Sequence, residues 1–191
     1  MLTWLRARSR SGRTAAELYG SIVTAARREI FYSELGVPDT PDGRFAMLAL
    51  HMYLVLERLQ EEGPEGQKLS RALVERFVTD IDDCMRELGV GDLTVPRKVK
   101  KAAGALYDWS AQFRQAKTAG GKTALADAVK RCLLPPEADS RAPKVLATYI
   151  CEEERRFREH PATALLAGKI AFSAVDLGPE FTDAHRARLD P

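Results

Sequence analysis

The chain has 191 residues, 45% of them hydrophobic and 29% charged, with a formal net charge of +2. That length and composition describe one soluble globular domain able to bury about 70% of its unfolded surface, and exclude a disordered or fibrous chain. The near-balance of charge argues against general nucleic-acid binding, and the longest apolar run, residues 45–56, falls short of the roughly 18–20 residues that cross a bilayer.

Charge is unevenly placed at the start. Arg6, Arg8, Arg10 and Arg13 meet no acid before Glu17, and without them the chain carries 25 basic against 27 acidic groups. Residues 1–13 therefore read as a basic N-terminal arm ahead of a helical domain over residues 14–191. The arm lacks the roughly 7–15-residue apolar region of a secretory signal. Trp4 beside Arg6, Arg8, Arg10 and Arg13 suits contact with an anionic membrane surface. A frayed terminus is the plainer alternative, and the composition is also that of a short mitochondrial leader.

From there the pattern predicts an all-α fold, a single helical domain of about six to seven helices. Thr14-Ala15-Ala16-Glu17 reads as a capping box opening the first helix, in which Leu18, Ile22, Ala26 and Ile30 recur at i+4 beside Val23 and Phe31. Gly36 and Pro38 end it. Thr40 caps the second helix with Pro41 at its first position. Met47, Leu48, His51, Met52, Val55, Leu56 and Leu59 make that helix apolar nearly all round, so it is expected at the centre with the third helix beside it.

The third helix, about residues 65–88, places Leu69, Leu73, Phe77, Ile81, Cys84, Met85 and Leu88 on its buried face, with Asp80, Asp83 and Glu87 opposite. The fourth, about residues 96–115, buries Val99, Ala102, Ala103, Leu106 and Phe113 and turns Lys98, Lys101 and Tyr107 outward. Residues 117–121 form a joint. Helices over about 122–134 and 143–158 follow, separated by Pro135-Pro136 and a turn at Asp139-Ser140. After His160-Pro161 a short helix to Gly168 leads into an irregular tail, where only residues 170–175 have a strand-like pattern. The alternation of strands and helices that builds a parallel sheet is absent.

Two charge blocks stand at unfavourable helix ends. Acids favour a helix N-terminus and bases a C-terminus by roughly 0.3–1 kcal/mol, yet Asp80, Asp82 and Asp83 come late in the third helix and Arg97, Lys98, Lys100 and Lys101 early in the fourth. Each other, or a partner, must favour them. The connection between them also repeats an earlier one. Glu34-Leu35-Gly36-Val37-Pro38-Asp39 and Glu87-Leu88-Gly89-Val90-Gly91-Asp92 each end a helix with Gly at the left-handed position and a Val that can fold back on the last turn, after which Asp and Thr start the next helix. Two ordinary helix stops are the simplest account of the repeat.

The stretch Phe31-Tyr32-Ser33-Glu34-Leu35-Gly36-Val37-Pro38-Asp39-Thr40-Pro41-Asp42-Gly43-Arg44-Phe45, together with residues 80–101, resembles the ubiquinol-cytochrome c chaperone family over about residues 16–113. The resemblance implies a helical, non-enzymatic assembly factor for ubiquinol-cytochrome c reductase. It would bind newly made cytochrome b or its assembly intermediate, with a small helper protein or the ribosome as further partners, no cofactor and no sequence-specific nucleic acid. The lack of a long leader points to a bacterial cytoplasm, with the protein peripheral to the inner membrane, or to the mitochondrial matrix side in a eukaryote.

On this reading Tyr32, Arg44, Asp80, Asp83, Arg97, Lys98 and Lys101 are candidate partner-binding residues. For Tyr32, Arg44 and Phe45 the competing reading is the packing of helix ends, with Arg44 reaching back to Glu34 or Asp39. For Asp80 and Asp83 it is a solvated helix end paired with Arg86 or the basic cluster, worth about 0–1 kcal/mol per pair. The competing function is a cytoplasmic helical adaptor or scaffold without a role in respiratory-complex assembly.

Enzyme motifs fail on spacing. Gly120-Gly121-Lys122-Thr123 resembles the end of a phosphate-binding loop, but Ala116 stands where the first Gly is required and no strand precedes it. A di-iron bundle needs Glu three residues before His. Leu48, Phe157 and Thr182 occupy those positions before His51, His160 and His185. No catalytic residue, metal ligand or cofactor-binding residue is therefore assigned. His51 reads as a satisfied core histidine, and the well-separated Cys84, Cys132 and Cys151 as buried thiols acting as small hydrophobes.

Overall fold

A computed structural model describes residues 2–178, with side chains from Ser11 onward. The elements are α1 (Leu2–Ala26), α2 (Ile30–Ser33), α3 (Pro41–Gln60), α4 (Gly63–Glu87), α5 (Val95–Leu133), α6 (Ala142–Glu159) and α7 (Ala162–Leu166). No strand occurs among the described residues, and residues 170–175 are irregular.

The sequence of α3 explains its central place. Thr40 is extended (φ −123°, ψ 166°) and its hydroxyl oxygen accepts the Gly43 N–H at 3.2 Å, while Pro41 occupies the first turn. Gly43 is required there, because a Cβ would lie 1.9 Å from the Pro38 carbonyl oxygen. From Ala46 to Leu59 every residue except Leu48 and Glu57 is buried. The helix packs against α1, α4, α5 and α6. A helix apolar on all sides needs neighbours on all sides. On α4, Leu69, Leu73, Phe77 and Ile81 face the core, and this helix also meets α1, α5 and α7.

Several boundaries depart from the sequence expectation. Thr14 lies within α1, so the Thr14–Glu17 pattern does not start a helix. The first helix also stops earlier than its apolar repeat suggests, at Ala26. Ile30–Ser33 is a separate turn, tied back by the Tyr32 hydroxyl donating to the Ala26 carbonyl at 2.7 Å. The expected fourth and fifth helices form one run bent at Gly120 (φ −150°, ψ 16°) and Gly121 (φ 61°, ψ −143°), within the proposed joint. The bend follows from glycine's access to positive φ.

The irregular segment after α7 closes the core. Arg28 donates to the Phe172 carbonyl at 2.7 Å and to the Ser173 carbonyl. The carboxylate of Glu153, fully buried, accepts from Ser173 N–H at 3.0 Å and from Arg156 at 2.8 Å. Phe172 then sits edge-on to His51 and Phe157, with ring centroids 5.0 and 5.2 Å away. His51 is a core residue: Nδ1 lies 2.7 Å from the Met47 carbonyl and Nε2 lies 3.0 Å from the Tyr149 hydroxyl. Burial pulls its pKa down to about 4, so the imidazole is neutral in the folded protein.

Candidate functional site

The end of the molecule where α4 gives way to α5 collects most of the candidate binding residues. Its backbone is self-sufficient. Gly89 (φ 74°) takes the left-handed position, its N–H donates to the Arg86 carbonyl at 2.9 Å, and Val90 N–H reaches the Met85 carbonyl at 3.0 Å. Thr94 and Val95 N–H groups return to the Gly91 carbonyl at 2.7 and 3.2 Å. Thr94 is itself helical and makes no side-chain cap, so the expected Asp-Thr start applies at Thr40 but not here.

The acidic block does not act as one unit. Asp80 is half-buried, and its carboxylate accepts the Tyr19 hydroxyl at 2.8 Å, joining α4 to α1. Burial first, and the Asp80 bond next, push the Tyr19 pKa upward and keep the phenol protonated. The expectation that Asp80 shares a solvated stripe is thereby corrected: α1 covers it. Asp82 pairs with Arg86 at 2.6 Å, and Arg86 also reaches Asp92 at 2.5 Å. Asp83 and Glu87 remain exposed. Half-buried Cys132 on α5 and Cys151 on α6 likewise depart from the buried thiols expected, as does exposed Cys84, where the sequence period assigns α4's last turn a neighbour that the fold does not supply.

The basic block is different. Arg97, Lys98, Lys100 and Lys101 are all exposed, and among the described residues none enters an ion pair. The two charge blocks therefore do not neutralise each other across the turn. Beside these bases, Leu88 is 65% and Leu93 100% exposed, with Tyr107 further along α5 also facing water. Leu88 was expected in the core. Its exposure follows from α4 extending past its last packed residues, and nothing in helical periodicity signals where a neighbouring helix ends.

The remaining candidates sit at the other helix stop. Tyr32 is used internally through its bond to Ala26. Arg44 is exposed and pairs with Asp39 at 2.7 Å, one of the two acids within its expected reach. That hydrogen bond holds the Asp39 carboxyl below its ordinary pKa. Phe45 packs against Trp109 and Phe77, with ring centroids 5.6 and 6.2 Å apart, so it belongs to the core rim. Arg13 is exposed on α1, whereas the side chains of Trp4, Arg6, Arg8 and Arg10 lie outside the described residues. Among the described residues no group of three or more His, Cys, Asp or Glu could hold a metal ion, and no helix is long and apolar enough to cross a membrane.

The chain is similar to known proteins over most of this architecture. The crystal structure of the Cbp3 homolog from Brucella abortus superposes with a TM-score of 0.79 at 36% identity, covering 92% of this chain and 97% of that one. Ubiquinol-cytochrome-c reductase complex assembly factor 1 of Xenopus laevis is 23% identical over 93 residues, 49% of this chain and 46% of the relative. The Homo sapiens protein of that name is 30% identical over 76 residues, 40% of this chain and 25% of the relative. The chain thus spans less than half the length of these curated relatives. The family match itself runs from residue 33 to residue 172, so it begins later and reaches much further than the stretch of resemblance seen in the sequence. With the match extending from α2 to the Phe172 anchor, the chain belongs to the ubiquinol-cytochrome C chaperone family.

Proposed function

We propose that the protein is a non-enzymatic assembly factor for ubiquinol-cytochrome c reductase that binds newly made cytochrome b, or an intermediate containing it, and releases it as the complex forms. The observation carrying this reading is the family match over residues 33–172, supported by the Brucella abortus neighbour over nearly the whole chain. A chaperone of this kind needs a surface that grips without chemistry. The exposed end of α4 and α5, with Arg97, Lys98 and Lys101 beside Asp83, fits that requirement, and Arg44 provides a second charged position at the other helix stop. Asp80 and Tyr32 support these surfaces from within, through Tyr19 and Ala26. The protein would work peripherally at the inner membrane, on the cytoplasmic side in a bacterium, with a helper protein or the ribosome as further partners.

Deletion of the gene should lower cytochrome b and reductase activity while leaving the cytochrome b transcript unchanged, because the factor acts on a finished polypeptide. Affinity purification from detergent-solubilised membranes should recover cytochrome b. Normal cytochrome b spectra in the deletion strain, with recovery only of soluble proteins, would favour the adaptor reading instead.

A further inference from the structure

Two helix stops built on one six-residue plan treat their leucines in opposite ways. Leu35 and Val37 are buried at the first, whereas at the second Leu88 faces water, Val90 is half-buried, and Leu93, one residue past the shared plan, is fully exposed. The second turn closes its own backbone bonds at Arg86, Met85 and Gly91. Nothing in its hydrogen bonding therefore requires Leu93 to stand fully exposed. The first two turns of α5 beyond this apolar tip carry Arg97, Lys98, Lys100 and Lys101, exposed and without ion pairs among the described residues, while of the acids before it Asp82 and Asp92 are held by Arg86 and Asp83 and Glu87 are exposed.

An exposed apolar tip followed by four exposed bases suits the surface of an anionic bilayer. Leucine side chains enter the boundary between headgroups and acyl chains, and long basic side chains keep their charge level with the phosphates. Buried apolar area and attraction to anionic lipid add in such a contact. A side chain as completely unpacked as Leu93 protrudes, and a fluid interface accepts a protruding tip without a preformed cavity.

We propose that the α4–α5 turn is a membrane-docking site, with Leu88 and Leu93 inserting at the interface and Arg97, Lys98, Lys100 and Lys101 binding anionic lipid headgroups. This names the surface met by the end of the molecule implicated above, and it rests on the assembly reading only for its cellular setting. A chaperone docked this way would present α5 to a client lying in the same bilayer.

The test uses the full chain and protein-free vesicles of phosphatidylcholine with or without phosphatidylglycerol. The protein should sediment with the anionic vesicles, be released by high salt, and remain bound in excess inorganic phosphate at constant ionic strength, which separates a lipid headgroup from a free phosphate site. Leu88→Ser with Leu93→Ser should weaken partition by about tenfold or more without lowering the melting temperature, since both side chains are exposed. Replacing the four bases by Gln should have a comparable effect, and Leu93→Trp should add a blue-shifted emission on anionic vesicles only. Unchanged binding by the Leu88/Leu93 variant would overturn the proposal. Loss of binding only when Arg6, Arg8, Arg10 and Arg13 are replaced would do the same and assign the contact to the arm. Loss of cytochrome b capture in detergent, with vesicle binding intact, would assign the turn to a protein partner. Because the vesicles contain no cytochrome b, failure here leaves the assembly function standing, and failure of client capture leaves vesicle binding standing.

Discussion

The connections α2–α3 and α4–α5 share a helix-ending sequence, yet one is core and the other is surface. At the first, Leu35 and Val37 are buried, Thr40 caps α3, and Gly43 lets the chain fold tightly against the Pro38 carbonyl. At the second, Leu88 and Leu93 are exposed, Thr94 caps nothing, and Arg97 stands three residues beyond it, where the first connection has Gly43. Both use a left-handed glycine, Gly36 at φ 70° and Gly89 at φ 74°. The local motif thus dictates how a helix stops, but whether its apolar residues find a neighbour depends on the rest of the chain.

That contrast can be broken by paired substitutions. Leu35→Ala should cost about 2–5 kcal/mol through lost burial and an internal cavity, whereas Leu88→Ala should stay within about 0.5 kcal/mol. Urea unfolding of the two variants gives the comparison directly, and equal losses would mean that the α4–α5 turn is covered in solution.

Next in size is the pH dependence around His51, the residue beneath Phe172. Its folded pKa of about 4 is below the ordinary value of 6.5, so the unfolded chain binds a proton first as pH falls. Stability is therefore highest above about pH 6.5 and declines as pH drops toward 4, by roughly 3 kcal/mol from this group. His51→Gln should be less stable at neutral pH but flatter across that window. Parallel slopes for the two proteins in thermal melts would place the acid sensitivity elsewhere.

The caps should differ more modestly. Thr40→Ala is expected to lose about 1 kcal/mol because it frees the Gly43 N–H, while Thr94→Ala should change little. Equal effects by chemical denaturation would require an uncounted bond at Thr94.

Smallest in stability is the charge reversal Lys98→Glu with Lys101→Glu. It should shift folding by less than about 0.5 kcal/mol, since neither lysine is ion-paired among the described residues. It should nonetheless weaken capture of cytochrome b in pull-downs at physiological salt. Marked destabilisation, restored by adding Asp83→Lys, which leaves the Tyr19–Asp80 bond in place, would revive a self-paired hinge between the blocks.

Residue pattern alone was enough for the all-α class, the central α3, the Thr40 start and the glycine stops, because each depends on contacts within a few residues or on a period that only a helix satisfies. Residues 31–45 and 80–101 likewise carried enough of the family's pattern to be recognised. What the sequence left open depends on distant partners. Asp80 lies on a stripe that periodicity assigns to solvent, and only Tyr19, 61 residues away, brings it inside. Leu88 continues the apolar face of α4 beyond the last residues that another helix covers. Arg28 and Glu153 carry no local signal for clasping Ser173, because backbone bonds across 145 and 20 residues have no sequence period. Secondary structure was determined by near neighbours in the chain, whereas burial, and with it the choice between a core leucine and one free to meet a membrane, was decided by which helices happened to end first.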